Sequence, residues 1–248
     1  MNSLKIALEL YTVRDETKRD FVGTLRKVAQ MGYTAVEFAG YGDLSAQQMA
    51  SLLAETGLKA AATHVGLNAL EGDALDKSID YCLAISCPNL VLPSLPPQLR
   101  AFESIQTLAP QLNAIGQHCR ERGIAFGYHN HDFEFKQENG RYWIDELLQL
   151  TDSALVKLEL DVYWAAYAGV DPVDFLRQHL DRVFILHLKD MTPERGMTEV
   201  GSGVLDMRAL CSIAQERGLW GIVEHDAPTL PSLESAKRSL DYLQQLTL

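Results

Sequence analysis

The sequence predicts an α/β fold in which eight parallel strands and their helices close into a single-domain (β/α)8 barrel over residues 1–248. Three observations carry this expectation. The length, 248 residues, is about what such a barrel uses. Eight short β-rich runs alternate with longer amphipathic segments, a pattern that implies parallel strands joined by crossovers. Several of the amphipathic segments end in glycine just before the next run, as helices do.

Taken in order, the strands begin near Lys5 (KIALEL), Ala35 (AVEF), Lys59 (KAAATH), Asn89 (NLVL), Ile124 (IAFGYHNH), Val156 (VKLELD), Val183 (VFILHL) and Gly221 (GIVE). Between them, residues 21–31, 45–55, 99–122, 173–179 and 207–217 read as helices. Gly32, Gly57, Gly123 and Gly218 stand at the stops, Ser45 and Asp206 at N-cap positions, and Pro172 follows Asp171 as a first-turn proline. An open doubly wound sheet is the alternative, but no GxGxxG turn follows the first strand. No linker or low-complexity tract divides the chain.

Apolar residues make up 47% of the chain, enough for a large core and too many for a disordered protein. Lys and Arg number 22 against 33 Asp and Glu, a formal net charge of −11 that repels phosphodiester backbones and anionic membranes. Nucleic-acid and membrane partners are therefore not expected. Cys82, Cys87, Cys119 and Cys211 show neither CxxC spacing nor a histidine pair, and read as buried thiols. The first ten residues carry Lys5 and Glu9 and lack a signal-type apolar core, and no run approaches the roughly 20 apolar residues of a membrane span. The expectation is a protein of the cytoplasm.

In such a barrel, function collects at the C-terminal ends of the strands. All but the fourth candidate strand end in a chemically active side chain: Glu9 with Tyr11 beyond it, Glu37, His64, His129 with co-facial His131, Asp161, His187, and Glu224 with Asp226. One carboxylate at a strand end is usually a cap or a salt-bridge partner; seven ends of this kind suggest a site. If Asp161 points inward, Glu159 and Lys157 do too, lower down. Glu9, Glu37, Glu134, Asp161 and Glu224 at one mouth would repel one another, with Arg14 and Lys189 the nearest cations. A divalent metal ion relieves that repulsion, and an oxygen-rich set with one imidazole suits Mn²⁺ first, with Mg²⁺, Co²⁺ or Zn²⁺ as alternatives.

At these residues the sequence resembles the xylose isomerase-like TIM-barrel superfamily of sugar isomerases and epimerases. The resemblance covers nearly the whole chain, through LELYTVR (8–14), GYTAVEF (32–38), THVGL (63–67), GYHNHDFEF (127–135), LELDVYW (158–164), ILHLKD (185–190), VGSGVLD (200–206) and VEHD (223–226). It implies one metal ion held by Glu134, Asp161, His187 and Glu224, with His129 or His131 the rival ligand on the fifth strand. It also implies a keto-sugar or cyclic polyol ketone as substrate; similar proteins are often homodimers or homotetramers, and the resemblance leaves the assembly of this chain open.

The expected chemistry is proton transfer beside the carbonyl through an enediolate, with Glu134 and Glu224 on opposite faces and His131 as an alternative base. Glu9, Tyr11, Arg14, Glu37, His64, His129, Trp164, Lys189 and Glu199 are expected to line the substrate pocket. Gly201 and Gly203 suggest a phosphate loop, but only Arg195 or Arg208 lies near in sequence, so an unphosphorylated substrate is expected. Three alternatives stand beside this reading. The first is a dehydratase or lyase acting on inososes or 3-keto-glycosides. The second is a phosphodiesterase like the apurinic-site endonucleases, against which the −11 charge argues. The third is a sugar-binding barrel without chemistry.

Overall fold

A computed structural model of the chain describes residues 3–246. Eight parallel strands close on themselves: β1 (Lys5–Glu9), β2 (Ala35–Phe38), β3 (Lys59–His64), β4 (Asn89–Leu92), β5 (Ala125–His129), β6 (Lys157–Asp161), β7 (Val183–Leu188) and β8 (Trp220–Val223). Each pairs with its neighbours in the chain, and β8 returns to β1 from Lys5↔Trp220 to Leu8↔Val223. All eight strands start within one residue of the positions read from the sequence. Among the described residues no helix is long and apolar enough to cross a membrane.

The helix boundaries follow local chemistry. Asp20 accepts from the Gly23 amide at the head of helix Phe21–Met31, and Gly32, at φ 106°, ends it where a side chain would strain. Ser45 and Gln48 form a reciprocal capping box ahead of helix Ala46–Thr56. Asp171 with Pro172, and Asp206, start the helices Pro172–Gln178 and Met207–Arg217. The expected helix over residues 99–122 is shorter than read: short 3₁₀ turns at Pro97–Leu99 and Phe102–Ser104 precede helix Ile105–Glu121. The Arg100 side chain donates to the Leu95 carbonyl, and the Trp143 indole donates to that of Ala101, which holds this stretch outside the helix. The four cysteines are free and buried.

Strand parity sorts side chains between the barrel lumen and the helix layer. Ala7, Ala35, Ile185 and Ile222 belong to a small apolar cluster separate from the main core beneath the helices. Two residues further along the same strands come Glu9, Glu37, His187 and Glu224. The lumen is therefore apolar low down and charged at its C-terminal mouth. Two register shifts adjust it: Ala61 is the extra residue opposite Val36/Glu37, and Phe184 the extra residue opposite Leu158/Glu159. Phe184 needs Gly127 across from it, since a Cβ there would lie 2.4 Å from its ring.

Candidate active site at the barrel mouth

The mouth is built from strand ends and the first residues beyond them. One donor atom each from His129, Asp161, His187 and Glu224, contributed by β5 to β8, lies within 4.8 Å of all the others. Ligands on opposite sides of an ion bound at about 2.0–2.3 Å stand at most about 4.6 Å apart, so this spread fits one divalent cation. Two imidazoles and two carboxylates suit Mn²⁺, Co²⁺ or Zn²⁺ on donor chemistry. All four residues are buried.

Each donor is held from behind. Asp161 sits at the junction of β6 and helix Val162–Tyr167, where its Oδ1 accepts from the Trp164 amide. Asn130 accepts from the Asp161 amide at 2.9 Å and donates to its carbonyl at 3.3 Å. Lys189, also buried, places its ammonium 2.9 Å from Asp161 Oδ2, 2.8 Å from Glu224 Oε2 and 2.8 Å from Asp226 Oδ1. Lower in the lumen, three imidazoles meet two carboxylates. Glu159 Oε1 stands 2.7 Å from His64 Nε2, 2.9 Å from His129 Nδ1 and 3.1 Å from His187 Nε2. Glu37 Oε2 lies 2.6 Å from His187 Nε2.

These contacts sort the titration behaviour. Burial alone would lower His187, but the carboxylates of Glu159, Glu37 and Glu224 hold its pKa well above the ordinary imidazole value. Burial would raise Glu224, but Lys189 and His187 keep it well below the usual carboxylate range. Burial and then Glu159 push Glu37 up to about 8. Burial and then Lys189 push His131 down to about 4, so its ring is neutral at pH 7.

A cavity of about 250 Å³ opens above, lined by Tyr11, His64, Pro93, Ser94, His129, His131, Trp164, Lys189, Glu224 and Asp226. Its size is below the roughly 300–1,000 Å³ of drug-sized ligand sites and suits a single sugar ring. Two ring nitrogens of its lining residues, His131 Nδ1 and Trp164 Nε1, are buried without a hydrogen-bond partner. Unpaired buried polar atoms are costly unless a ligand satisfies them. The indole lies 5.7 Å from the His131 ring and 5.9 Å from Lys189 Nζ.

The residues singled out from the sequence divide into groups. Asp161, His187 and Glu224 come together as a cluster, and the fourth member is His129, one of the two histidines (with His131) weighed as rivals to Glu134. Glu134, expected as the fifth-strand ligand, stands apart: its Oε1 accepts from the Tyr128 hydroxyl at 2.7 Å and its Oε2 from the His131 amide at 2.8 Å. It lies in the 3₁₀ turn Phe133–Phe135, past the end of β5, and among the described residues no candidate ligand group includes it. Tyr11, His64, His131, Trp164 and Lys189 face the cavity.

Others sit elsewhere. Glu9 and Glu37 are buried below the cavity, Glu9 accepting from the Tyr11 amide. Arg14 stacks on the Tyr11 ring and donates to the Tyr11 and Asp226 carbonyls. Glu199 packs against Thr198 in the loop after β7. Sequence reasoning did not single out Tyr128, Asn130 or Asp190. The carboxylate of Asp190 accepts from the amides of Gly201, Gly203 and Leu205 and so shapes the glycine loop.

Known proteins with similar sequences and folds agree with this architecture. Over 269 aligned positions the chain is 24% identical to an inosose dehydratase from Geobacillus kaustophilus, spanning 90% of this chain and 86% of that protein. It is 29% identical over 165 positions to an inosose dehydratase from Clostridium botulinum, which covers 58% of this chain and 55% of that protein. Among solved structures, a sugar phosphate isomerase/epimerase from Parabacteroides distasonis superposes with a TM-score of 0.83 at 26% identity, covering 98% of this chain and 94% of that one. The profile of the xylose isomerase-like TIM-barrel family matches residues 25–246. With its closed eight-stranded barrel and this match over most of its length, the chain belongs to the xylose isomerase-like TIM-barrel family.

Proposed function

We propose that this chain is a divalent-metal-dependent isomerase or epimerase that moves a proton on the carbon beside the carbonyl of a keto-sugar or cyclic polyol ketone. The observation that carries this reading is the convergence of His129, Asp161, His187 and Glu224 at the floor of a one-ring cavity. His129, Asp161, His187 and Glu224 would hold a divalent ion, Mn²⁺ first among the candidates, which would supply Lewis-acid polarisation of the carbonyl when bound.

The chain's own residues do the rest. His131, neutral and lining the cavity, takes the proton on its unprotonated ring nitrogen. Glu224 lines the cavity as well, kept ionised by Lys189 and His187 and so an anionic donor to the ion; a water at the open side of the cavity supplies the proton returned on the second face, and His131 passes its own proton to solvent. Trp164 Nε1 donates to a substrate hydroxyl. The Lys189 ammonium stabilises negative charge developing nearby. Glu134 supports this arrangement by holding the His131 backbone amide.

A second reading shares the first step. Curated relatives at 24% and 29% identity are inosose dehydratases, and loss of a β-hydroxyl after proton removal needs an acid, for which Asp226, lining the cavity and pushed up to about 6 by burial and then Glu224, is the candidate. Incubation of a keto-sugar and inosose panel in D₂O with Mn²⁺ separates the two. Deuterated sugar recovered as its epimer or isomer supports the first reading, and an unsaturated ketone with released water supports the second. Glu224→Gln should abolish exchange and weaken metal retention. Exchange that persists undiminished in EDTA would refute both.

A further inference from the structure

The ligand set leaves a problem that chemistry must solve. An imidazole bound to an ion through one nitrogen carries a proton on the other, and that N–H needs an acceptor which fixes the tautomer and the ring's angle. His129 turns Nε2 toward Asp161 Oδ2, 3.7 Å away, and Nδ1 toward Glu159. His187 turns Nδ1 toward Glu224 and Nε2 toward Glu37 and Glu159. The two nitrogens facing away from the proposed ion thus meet two carboxylates, one from β6 and one from β2. His64 Nε2 stands between these, 2.7 Å from Glu159 Oε1 and 3.4 Å from Glu37 Oε1.

Building on the proposed metal site, we infer that Glu159 and Glu37, bridged by His64, form a lower row of positioning residues that sets the tautomers of His129 and His187. Glu159 and Glu37 are fully buried, and neither borders the cavity. Their backbones lie at the two register shifts of the barrel, Leu158/Glu159 and Val36/Glu37. A register shift re-aims the side chains beside it, so the same irregularities that admit Ala61 and Phe184 to the lumen sit where these carboxylates turn toward the imidazoles. Lysine is placed differently: Lys189 reaches Asp161, Glu224 and Asp226 on the upper side. The row below the ion consists of imidazole ring nitrogens facing the side-chain oxygens of Glu159 and Glu37.

A different occupant is conceivable for the same groups, because donor atoms of His64, His129, Glu159 and His187 also lie within 4.8 Å of one another. If a second ion sat there while the first occupied the upper site, His129 and His187 would each be bound at both nitrogens, as doubly deprotonated bridges. With neutral rings, one nitrogen binds and the other donates, which favours hydrogen bonding in the lower row.

The test uses the full chain loaded with Co²⁺ and compares wild type with Glu159→Gln, Glu159→Leu and Glu37→Gln. Metal stoichiometry and affinity are read by titration calorimetry, ligand geometry by the visible Co²⁺ spectrum, and folding by circular dichroism. The inference expects one ion per wild-type chain. It expects affinity in folded Glu159→Gln and Glu37→Gln to fall about 10–100-fold with an altered spectrum, and Glu159→Leu to lose more than Glu159→Gln. Folded variants with wild-type affinity and spectrum would overturn it, as would two ions per wild-type chain. Loss of binding in Asp161→Asn alongside unchanged Glu159 variants leaves the proposed metal site standing and removes only this inference. A wild type that binds no ion removes both.

Discussion

Replacing Lys189 with methionine isolates the charge balance of the mouth. At an effective dielectric of 20, each ammonium–carboxylate contact at 2.8–2.9 Å is worth about 6 kcal/mol of attraction, offset by several kcal/mol of desolvation for each buried ion. Removing one partner of a buried ionic group typically costs about 3–5 kcal/mol, because the charges left behind are uncompensated. For a chain of this size that lowers the melting temperature by about 10 °C in EDTA. Saturating Mn²⁺ should reverse much of the loss, since the ion neutralises Asp161 and Glu224 and no longer competes with an ammonium for them. Differential scanning fluorimetry of wild type and Lys189→Met, each with EDTA and with Mn²⁺, reads this directly. The variant should show the larger metal-induced rise. Equal rises in both proteins would mean that Lys189 and the ion do not share carboxylates, and the charge argument would fall.

Three further outcomes follow. Burial pushes Glu134 up to about 8, against the hydrogen bonds from Tyr128 and the His131 amide; a carboxyl raised on folding holds its proton more tightly in the native state, so its contribution is full below about pH 4 and fades as pH climbs toward 8. The melting-temperature difference between wild type and Glu134→Gln should therefore shrink or change sign across that window, and a difference constant with pH would contradict it. Buried Arg182 donates to the carbonyls of Leu148, Thr151 and Val156 and to the Thr151 hydroxyl; Arg182→Met should lower stability by about 2–4 kcal/mol in urea unfolding while metal affinity stays unchanged. Trp164→Phe keeps the ring and deletes the unpartnered Nε1 donor, so KM for a substrate that uses this contact should rise about tenfold, for a hydrogen bond of about 1.4 kcal/mol, and remain unchanged for the matching deoxy analogue.

The sequence shows the barrel plainly because its signals are local. Each strand is a short apolar run flanked by a helix stop or cap, and Gly32, Ser45 and Asp206 act within a few residues of where they stand. The strand-end side chains that cluster are legible too as chemically active groups, but parity alone does not choose the lumen side; the structure puts Glu9, Glu37, His187 and Glu224 two residues beyond the lumen-facing Ala7, Ala35, Ile185 and Ile222. Glu134 and His129 could not be ranked in the same way. Five positions separate them, on either side of the point where β5 gives way to a 3₁₀ turn, and parity has no meaning across that break. Glu159 was visible only as an inward neighbour of Asp161, because its meaning comes from β3, β5 and β7 meeting around it, contacts of long sequence separation.

That distinction also bears on how the reaction is determined. The floor of the site, His129, Asp161, His187, Glu224 and the carboxylates below, comes mostly from strand residues locked in register by the barrel ladder. It provides for the ion and so for proton loss beside a carbonyl, the step that isomerisation, epimerisation and dehydration share. The wall comes from residues past the strand ends: Tyr11, His131, Trp164 and Asp226. Whether the enediolate is reprotonated or expels a β-hydroxyl depends on which acid stands over the β-carbon, and that is a matter of the wall. Substitutions in the floor should therefore abolish every outcome together. Substitutions in the wall away from the proposed base His131, such as Trp164→Phe or Asp226→Asn, should change the ratio of epimer to unsaturated product while the rate of proton exchange from the α-carbon is retained. A floor variant that altered only the product ratio would break this division of labour.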